Sequence, residues 1–319
     1  MTQDSFGVIC LCAQFKKEPG IFPLTTAEFR DLSLLLAQRG KTPGALFYMT
    51  SEDLLSMGLS PEGAHRVLTL LDRAPVVETM VGSYRSMGVH ILTPCDSPYS
   101  PTMRATLTHS CPPVLCCAGN LSLWERKTVG FVGARDISPE DAKFATNAVQ
   151  KVLAQGYSIV SGGARGSDSV SEKAALWEGG TVVEFPAVPL LRKLRDPNLI
   201  PYLEGQQLLL ATPAAPHAGF SSALASTRNR MIYAHSVSTV VVRATQCSGG
   251  TWSGASEALK RQLCPILCRD LPYAGSQGLI RAGAIAIDDS WDGLLPNGGI
   301  KHSPLQEHVT EIPEQFFLF

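Results

Sequence analysis

Residues 128–185 read TVGFVGARDISPEDAKFATNAVQKVLAQGYSIVSGGARGSDSVSEKAALWEGGTVVEF. Two spacings alternate along this stretch. TVGFVGA (128–134) is a continuous apolar run, the pattern of a strand buried on both faces. Ser138-Pro139-Glu140-Asp141 then opens a helix: an N-cap hydroxyl, proline at the first helical position and acids in the first turn. Ala142, Ala145, Ala148, Val149, Val152 and Leu153 follow at helical spacing, and Gly156 closes the helix. YSIVSGG (157–163) is a second strand, ARGSDSVSEKAALWEGG (164–180) a loop and helix, and TVVEF (181–185) a third strand.

The rhythm continues outward. QQLLLAT (206–212) predicts a strand, SSALASTRNRMIYAHS (221–236) a helix and STVVVRA (238–244) a strand. SGGTWSGASEALKRQ (248–262) predicts a glycine-rich turn with a helix, and CPILCR (264–269) a last strand. Strands alternating with helices predict an α/β fold with a doubly wound, mostly parallel sheet. Upstream, GVHILT (88–93) and PVLCCAG (113–119) read as strands. The Pro- and Ser-rich stretch 94–113 reads mostly as loop, and 120–127 as a connector.

The first 75 residues read differently. GVICLC (7–12) is a buried strand or helix piece. Thr25 and Thr26 precede the helix AEFRDLSLLLAQRG, which Gly40 stops. Ser51 caps EDLLSMG, and Ser60 with Pro61 opens EGAHRVLTLLDRA. Short helices joined by glycine turns predict a small helical domain over 1–75, of helix-hairpin-helix or sterile-alpha-motif type, or plain helical packing. The α/β domain is expected over 80–288, with a peripheral tail over 289–319.

Of the 319 residues, 45% are hydrophobic and 17% charged, which excludes a disordered chain. No run approaches the ~18 apolar residues of a membrane helix, and no signal peptide is legible, so the expected location is cytoplasmic. The 27 basic and 28 acidic side chains nearly cancel. A nucleic-acid site would therefore be a local patch rather than a global field. The nine cysteines form no CxxC pair and read as reduced core residues; no metal is expected.

In an open α/β sheet, ligands bind beyond the carboxyl ends of the strands. Four loops are expected there. Gly133-Ala134-Arg135 follows the first strand and offers backbone room and a guanidinium. Ser161-Gly162-Gly163-Ala164-Arg165-Gly166-Ser167-Asp168 reads as a cradle of exposed N–H groups for phosphate, with Asp168 capping the next helix. In Arg228-Asn229-Arg230, the first two residues face the ligand and Arg230 anchors a neighbour; the guanidinium groups can bind phosphate bidentately or stack on bases. Ser248-Gly249-Gly250-Thr251-Trp252 repeats the glycine-rich turn. Trp252 reads as a base platform or a core indole, and Glu257 as an acid/base group or a first-turn acid. Lys127, Lys143, Arg192, Lys193 and Arg195 are weaker candidates for a basic rim, since a run such as LLRKLRD usually forms a solvated face. No GxSxG elbow or metal-binding His spacing is present.

VGFVGARDISPEDA, GYSIVSGGARGSDSVSEKAAL, FSSALASTRNRMIYAHS and STVVVRATQCSGGTWSGASEAL, in this order, resemble the DprA/Smf family of DNA-processing proteins. The lead-in SPYSPTMRATLTHSCPPVLCCAGNLSL fits as well, so the resemblance covers roughly residues 5–285. It implies a Rossmann-like domain that binds single-stranded DNA, protects it during natural transformation, helps load a RecA-type recombinase and acts as a homodimer, with no cofactor and no catalysis. By position it implies Gly133, Arg135, Ser161, Gly162, Arg165, Gly166, Asp168, Arg228, Asn229 and Arg230 as DNA-phosphate residues. Gly163, Ser248, Gly249 and Gly250 join them from the loop reading above.

The chain departs from the family pattern in several places. Ser171-Glu172 stand where the family has Ala-His, and an acid facing the pocket would weaken anion binding. Ser167 replaces an apolar residue, PAVPLLRKLRDPN replaces the Gly and Tyr-Pro pattern, and GGTW replaces a Leu-containing turn. A C-terminal winged helix is not expected. The alternative is a nucleotide sensor or phosphoribohydrolase-like enzyme, in which Glu257 assists glycosidic cleavage and Arg228 holds phosphate. A third possibility is a scaffold that uses its N-terminal helices.

Overall fold

The computed structural model describes residues 1–245 and 249–296. Five helices come first: α1 (Gln3–Cys12), α2 (Thr26–Gln38), α3 (Ser51–Ser56), α4 (Pro61–Leu71) and α5 (Ala74–Ser86). GVICLC thus lies in a helix, not a strand. Thr25 and Ser60 cap α2 and α4 as expected, but the cap of α3 is Thr50 rather than Ser51. Thr50 and Asp53 form a reciprocal capping box, and Asp53 reaches back only to the residue three before it.

The remaining elements are β1 (His90–Leu92), α6 (Pro101–Leu107), β2 (Leu115–Gly119), β3 (Thr128–Val132), α7 (Pro139–Ala154), β4 (Ser158–Ser161), α8 (Ser167–Trp177), β5 (Val182–Glu184), α9 (Leu190–Lys193), α10 (Ile200–Glu204), β6 (Leu208–Thr212), α11 (Ser222–Ala234), β7 (Ser236–Val241), α12 (Gly249–Arg261), β8 (Ile266–Arg269), α13 (Ala274–Arg281) and β9 (Ile285–Ile287). The stretch 94–113 is less of a loop than its composition predicts. Ser100 and Pro101 cap and start α6, the same pair of signals that opens α4.

The described strands form one sheet in the order β1-β2-β6-β5-β4-β3-β7-β8-β9. From β6 to β9 every neighbouring pair is parallel, and β1 and β2 add an antiparallel edge. The chain winds from β3 through β4 and β5 to β6 on one side, then returns to β7 beside β3 and winds through β8 and β9 on the other. The order therefore reverses between β3 and β7, and a crevice opens there at the carboxyl ends of the strands.

Successive strand residues face opposite layers. Val129, Phe131, Ile159, Val182, Leu208 and Leu210 join the apolar cluster of α7, α8 and the N-terminal helices. Val132, Val160, Val183, Leu209 and Ala211 join the cluster of α6, α11 and α12. The first cluster is continuous from Leu11, Leu36, Leu54 and Leu70 to the sheet. The eight described cysteines are free; Cys10, Cys111, Cys116, Cys117, Cys264 and Cys268 are buried, and Cys247 lies outside the described residues. No described helix is long and apolar enough to cross a membrane.

Candidate functional site

A cavity of about 530 Å³ occupies the β3/β7 crevice. One wall is Gly133, Ala134, Arg135 and Asp136 after β3, and another is Arg243 and Thr245 after β7. Arg228 and Asn229 reach in from α11, Asp168 from α8, and Gly249, Gly250 and Thr251 from the start of α12. All four expected loops therefore contribute here, the second through Ala164 and Asp168. Ser248 lies outside the described residues.

Arg228 anchors the floor. It is buried, and its Nη1 lies 3.4 Å from Oδ2 of buried Asp168. Its guanidinium rests on Gly162, where an added Cβ would fall 1.2 Å from Nη1. Asp168 does not cap α8. Gly166 holds the cap position, and Asp168 lies inside the first turn, where the α11 guanidinium and the Ala164 N–H engage it. Burial raises the Asp168 pKa, and Arg228 opposes that shift without cancelling it.

Arg243 is fixed from two sides. Its Nη1 lies 3.2 Å from Asp141 Oδ2, and its Cζ sits 4.4 Å from the centre of the Tyr273 ring. Asp141 Oδ1 also accepts from Arg269 Nη1 at 2.8 Å, and Ser138 N donates to Asp141 Oδ2 at 3.0 Å. Thr251 Oγ1 donates to Gly133 O at 2.8 Å, and Asn229 Nδ2 to Gly250 O at 3.1 Å, which ties the fourth loop to the first and third. Arg135 has no hydrogen-bond or ion-pair partner among the described residues, so its charge is the one least committed to the fold.

Other expected site residues lie elsewhere. Ser161 is buried and donates to Phe131 O at 2.7 Å, holding β4 to β3. Arg165 is exposed and does not line the cavity, but it pairs with Asp136, which does. Arg230 points away from the cavity, 2.9 Å from Glu257, as the i, i+2 spacing on α11 predicts. Glu257 is held by Arg230 and by Arg261 at 3.0 Å. It does not line the cavity, so Glu257 and Arg228 do not face a common substrate.

The second loop differs most from its reading as an open anion cradle. Gly163 has φ +63°, and its N–H donates to Glu172 Oε1 at 2.8 Å. An added Cβ there would fall 2.1 Å from Glu184 Oε1. Glu172 and Glu184 are buried together, with Lys193 Nζ 2.6 Å from Glu184. Burial and then the Glu184 charge push the Glu172 pKa well up, against Lys193. Lys193 is therefore a half-buried counter-ion rather than part of a solvated face. Trp252 is also structural: it packs on the second apolar cluster, and Gly278 of α13 leaves room for its ring. Sequence reasoning missed Arg243 and Tyr273. Arg243 follows a strand ending at the crevice, as Arg135 does, and that placement is the signal by which it could have been found.

The family comparison agrees with this architecture. The family model for DNA recombination-mediator protein A matches residues 90–294. The chain belongs to that family of DNA-processing proteins. Among solved structures it is similar to DNA processing protein A from Streptococcus pneumoniae, at 19% identity and a TM-score of 0.62, covering 83% of this chain and 95% of that one. It is also similar to DNA processing protein A from Helicobacter pylori, whose single-stranded DNA binding mode that structure describes. There the identity is 22% and the TM-score 0.52, with 62% of this chain and 90% of that one covered. No curated protein sequence matches.

Proposed function

We propose that this protein binds single-stranded DNA at the β3/β7 cavity and does no chemistry on it. The observation that carries this reading is the convergence of Arg135, Arg228, Asn229 and Arg243 on one crevice, in a chain of a DNA-processing family. The Helicobacter pylori relative, which binds single-stranded DNA, supports it. Gly133, Gly249 and Gly250 line the cavity and let a phosphate approach backbone N–H groups. Gly162, Gly166 and Asp168 act through the backbone and through Arg228, while Arg165 and Arg230 lie outside the pocket. Phosphate contacts of this kind give affinity without choice of sequence.

The finer role is protection of DNA and loading of a RecA-type recombinase during transformation or recombination, by a cytoplasmic homodimer. In this reading 80–288 is the DNA-binding unit and 1–75 an accessory helical unit; most of the expected tail, from residue 297 on, lies outside the described residues.

The experiment is binding of a fluorescent poly-dT oligonucleotide at several salt concentrations, for the wild type and Arg135→Ala. The expected result is salt-sensitive binding that weakens in the variant. Absence of wild-type binding at low salt overturns the reading. The recombinase role is tested by whether the protein speeds filament assembly on DNA coated with single-strand-binding protein, and the dimer by sedimentation.

A further inference from the structure

Tyr273 stands at the carboxyl end of β8, immediately before α13, on the same edge of the sheet as the cavity. The residue is 45% exposed, although a guanidinium already lies against its ring. That guanidinium belongs to Arg243, which also lines the cavity. The two residues thus form one surface: a cavity wall of positive charge that continues outward as an aromatic ring. Among the described residues the Tyr273 hydroxyl has no hydrogen-bond partner, so no polar contact of the fold accounts for the ring's position.

The arrangement suits a particular ligand. A phosphodiester chain with free bases needs cations for its phosphates and flat apolar surfaces for its bases. Arg243 is tethered by Asp141 and stacked on the ring, so the ring is held before any ligand arrives. Holding an aromatic surface in advance removes part of the ordering cost of binding. The other aromatic considered for this role, Trp252, is packed between α12 and α13.

We propose that Tyr273 is a base-stacking platform that takes the nucleobase adjoining the phosphate held in the cavity, with Arg243 serving both. This rests on the single-stranded DNA reading and assigns the strand a direction of travel, from the β3/β7 crevice across β8 toward α13.

The test compares wild type, Tyr273→Leu, Tyr273→Phe and Tyr273→Trp. Leucine keeps apolar bulk without a π face. The probes are a dT oligonucleotide and the same backbone with every base removed. Wild type is expected to prefer the dT strand. Tyr273→Leu should lose about 5- to 150-fold on dT, the range of one base–aromatic stack. It should lose little on the baseless strand, while phenylalanine and tryptophan should keep most of the dT affinity. A 2-aminopurine placed in the strand should be quenched by wild type and less by Tyr273→Leu. If wild type binds dT and Tyr273→Leu binds it equally well, the platform is wrong and the cavity reading stands. If wild type binds neither strand at low salt, the DNA reading itself fails. A loss in Tyr273→Leu that is equal on both strands also overturns the platform, because it places the effect on Arg243 and phosphate instead.

Discussion

Glu172 accepts the N–H of Gly163 at 2.8 Å, so this chain fills one of its own backbone anion sites with a buried carboxyl. Around that contact lie Glu184, Lys193, Asp168 and Arg228. Three acids face two bases, and the group is neutral when Glu172 carries a proton. A carboxyl whose pKa is raised on folding holds a proton that the unfolded chain releases, so stability falls as pH rises above the unfolded value. Glu172→Gln keeps an acceptor for Gly163 and removes the titration. The variant is expected to be more stable than wild type near neutrality, by a margin that grows with pH at up to about 1.4 kcal/mol per unit. Urea midpoints from pH 5 to pH 8 check this; a margin that shrinks with rising pH contradicts it.

Gly162 supports Arg228 by having no side chain. In Gly162→Ala the guanidinium must leave its seat beside Asp168. Separating a buried ion pair costs about 3–5 kcal/mol, because both charges stay desolvated. The variant is expected to lose stability of that order and to bind poly-dT more weakly. Thermal melts and anisotropy titrations at low salt measure the two effects. A variant that melts like wild type would mean that Arg228 has a second resting place.

The arginines of the first two loops should behave differently. Arg135→Ala removes an uncommitted charge from the cavity wall, so the slope of log affinity against log salt should fall by about one. Arg165 is exposed and paired with Asp136, an arrangement that contributes at most about 1 kcal/mol to stability. Arg165→Ala should therefore change the salt slope less than Arg135→Ala does. The reverse order of effects would place the strand's phosphate at Arg165 rather than at Arg135.

His235 is expected to contribute to acid sensitivity. It is buried edge-on to Trp124, with Nδ1 3.0 Å from Ser100 Oγ, and burial lowers its pKa from 6.5 to about 3. Below pH 6.5 the unfolded chain takes up a proton that the folded chain refuses, so stability declines as pH falls from 6.5 toward 3. His235→Asn should be less stable at pH 7 and should lose less stability between pH 7 and pH 4.5 than wild type does. Equal losses would assign acid sensitivity to other groups.

The doubly wound sheet was legible because its signals are local: continuous apolar strands, a capped α7 and a glycine closing α7 and α8. The site loops could be placed for the same reason, since a strand end fixes where its loop emerges. Local chemistry misled where partners come from afar. Asp168 reads as a cap until Arg228, sixty residues later, is brought beside it. Lys193 reads as solvated until Glu184 is found beneath it. Trp252 and Tyr273 differ in the sequence only by their neighbours, and the packing of α13 on α12 decides which ring is left open. The substitution of Glu172 for the family's histidine was visible, but its direction was not: it turns to Gly163 and not to the cavity.

Asp141 has two guanidinium partners on separate oxygens, Arg243 and Arg269, and a backbone donor at Ser138. On the proposed single-stranded DNA reading, a strand arriving in the cavity competes for only one of them. When a phosphate draws on Arg243, Asp141 keeps Arg269 and the Ser138 N–H, and no bare carboxylate is left in the interior. The redundancy makes Arg243 a lendable charge: the protein can offer it to a passing strand and take it back without disturbing its own frame. If the proposed DNA reading holds, a grip of that kind lets the protein hold a strand and release it again.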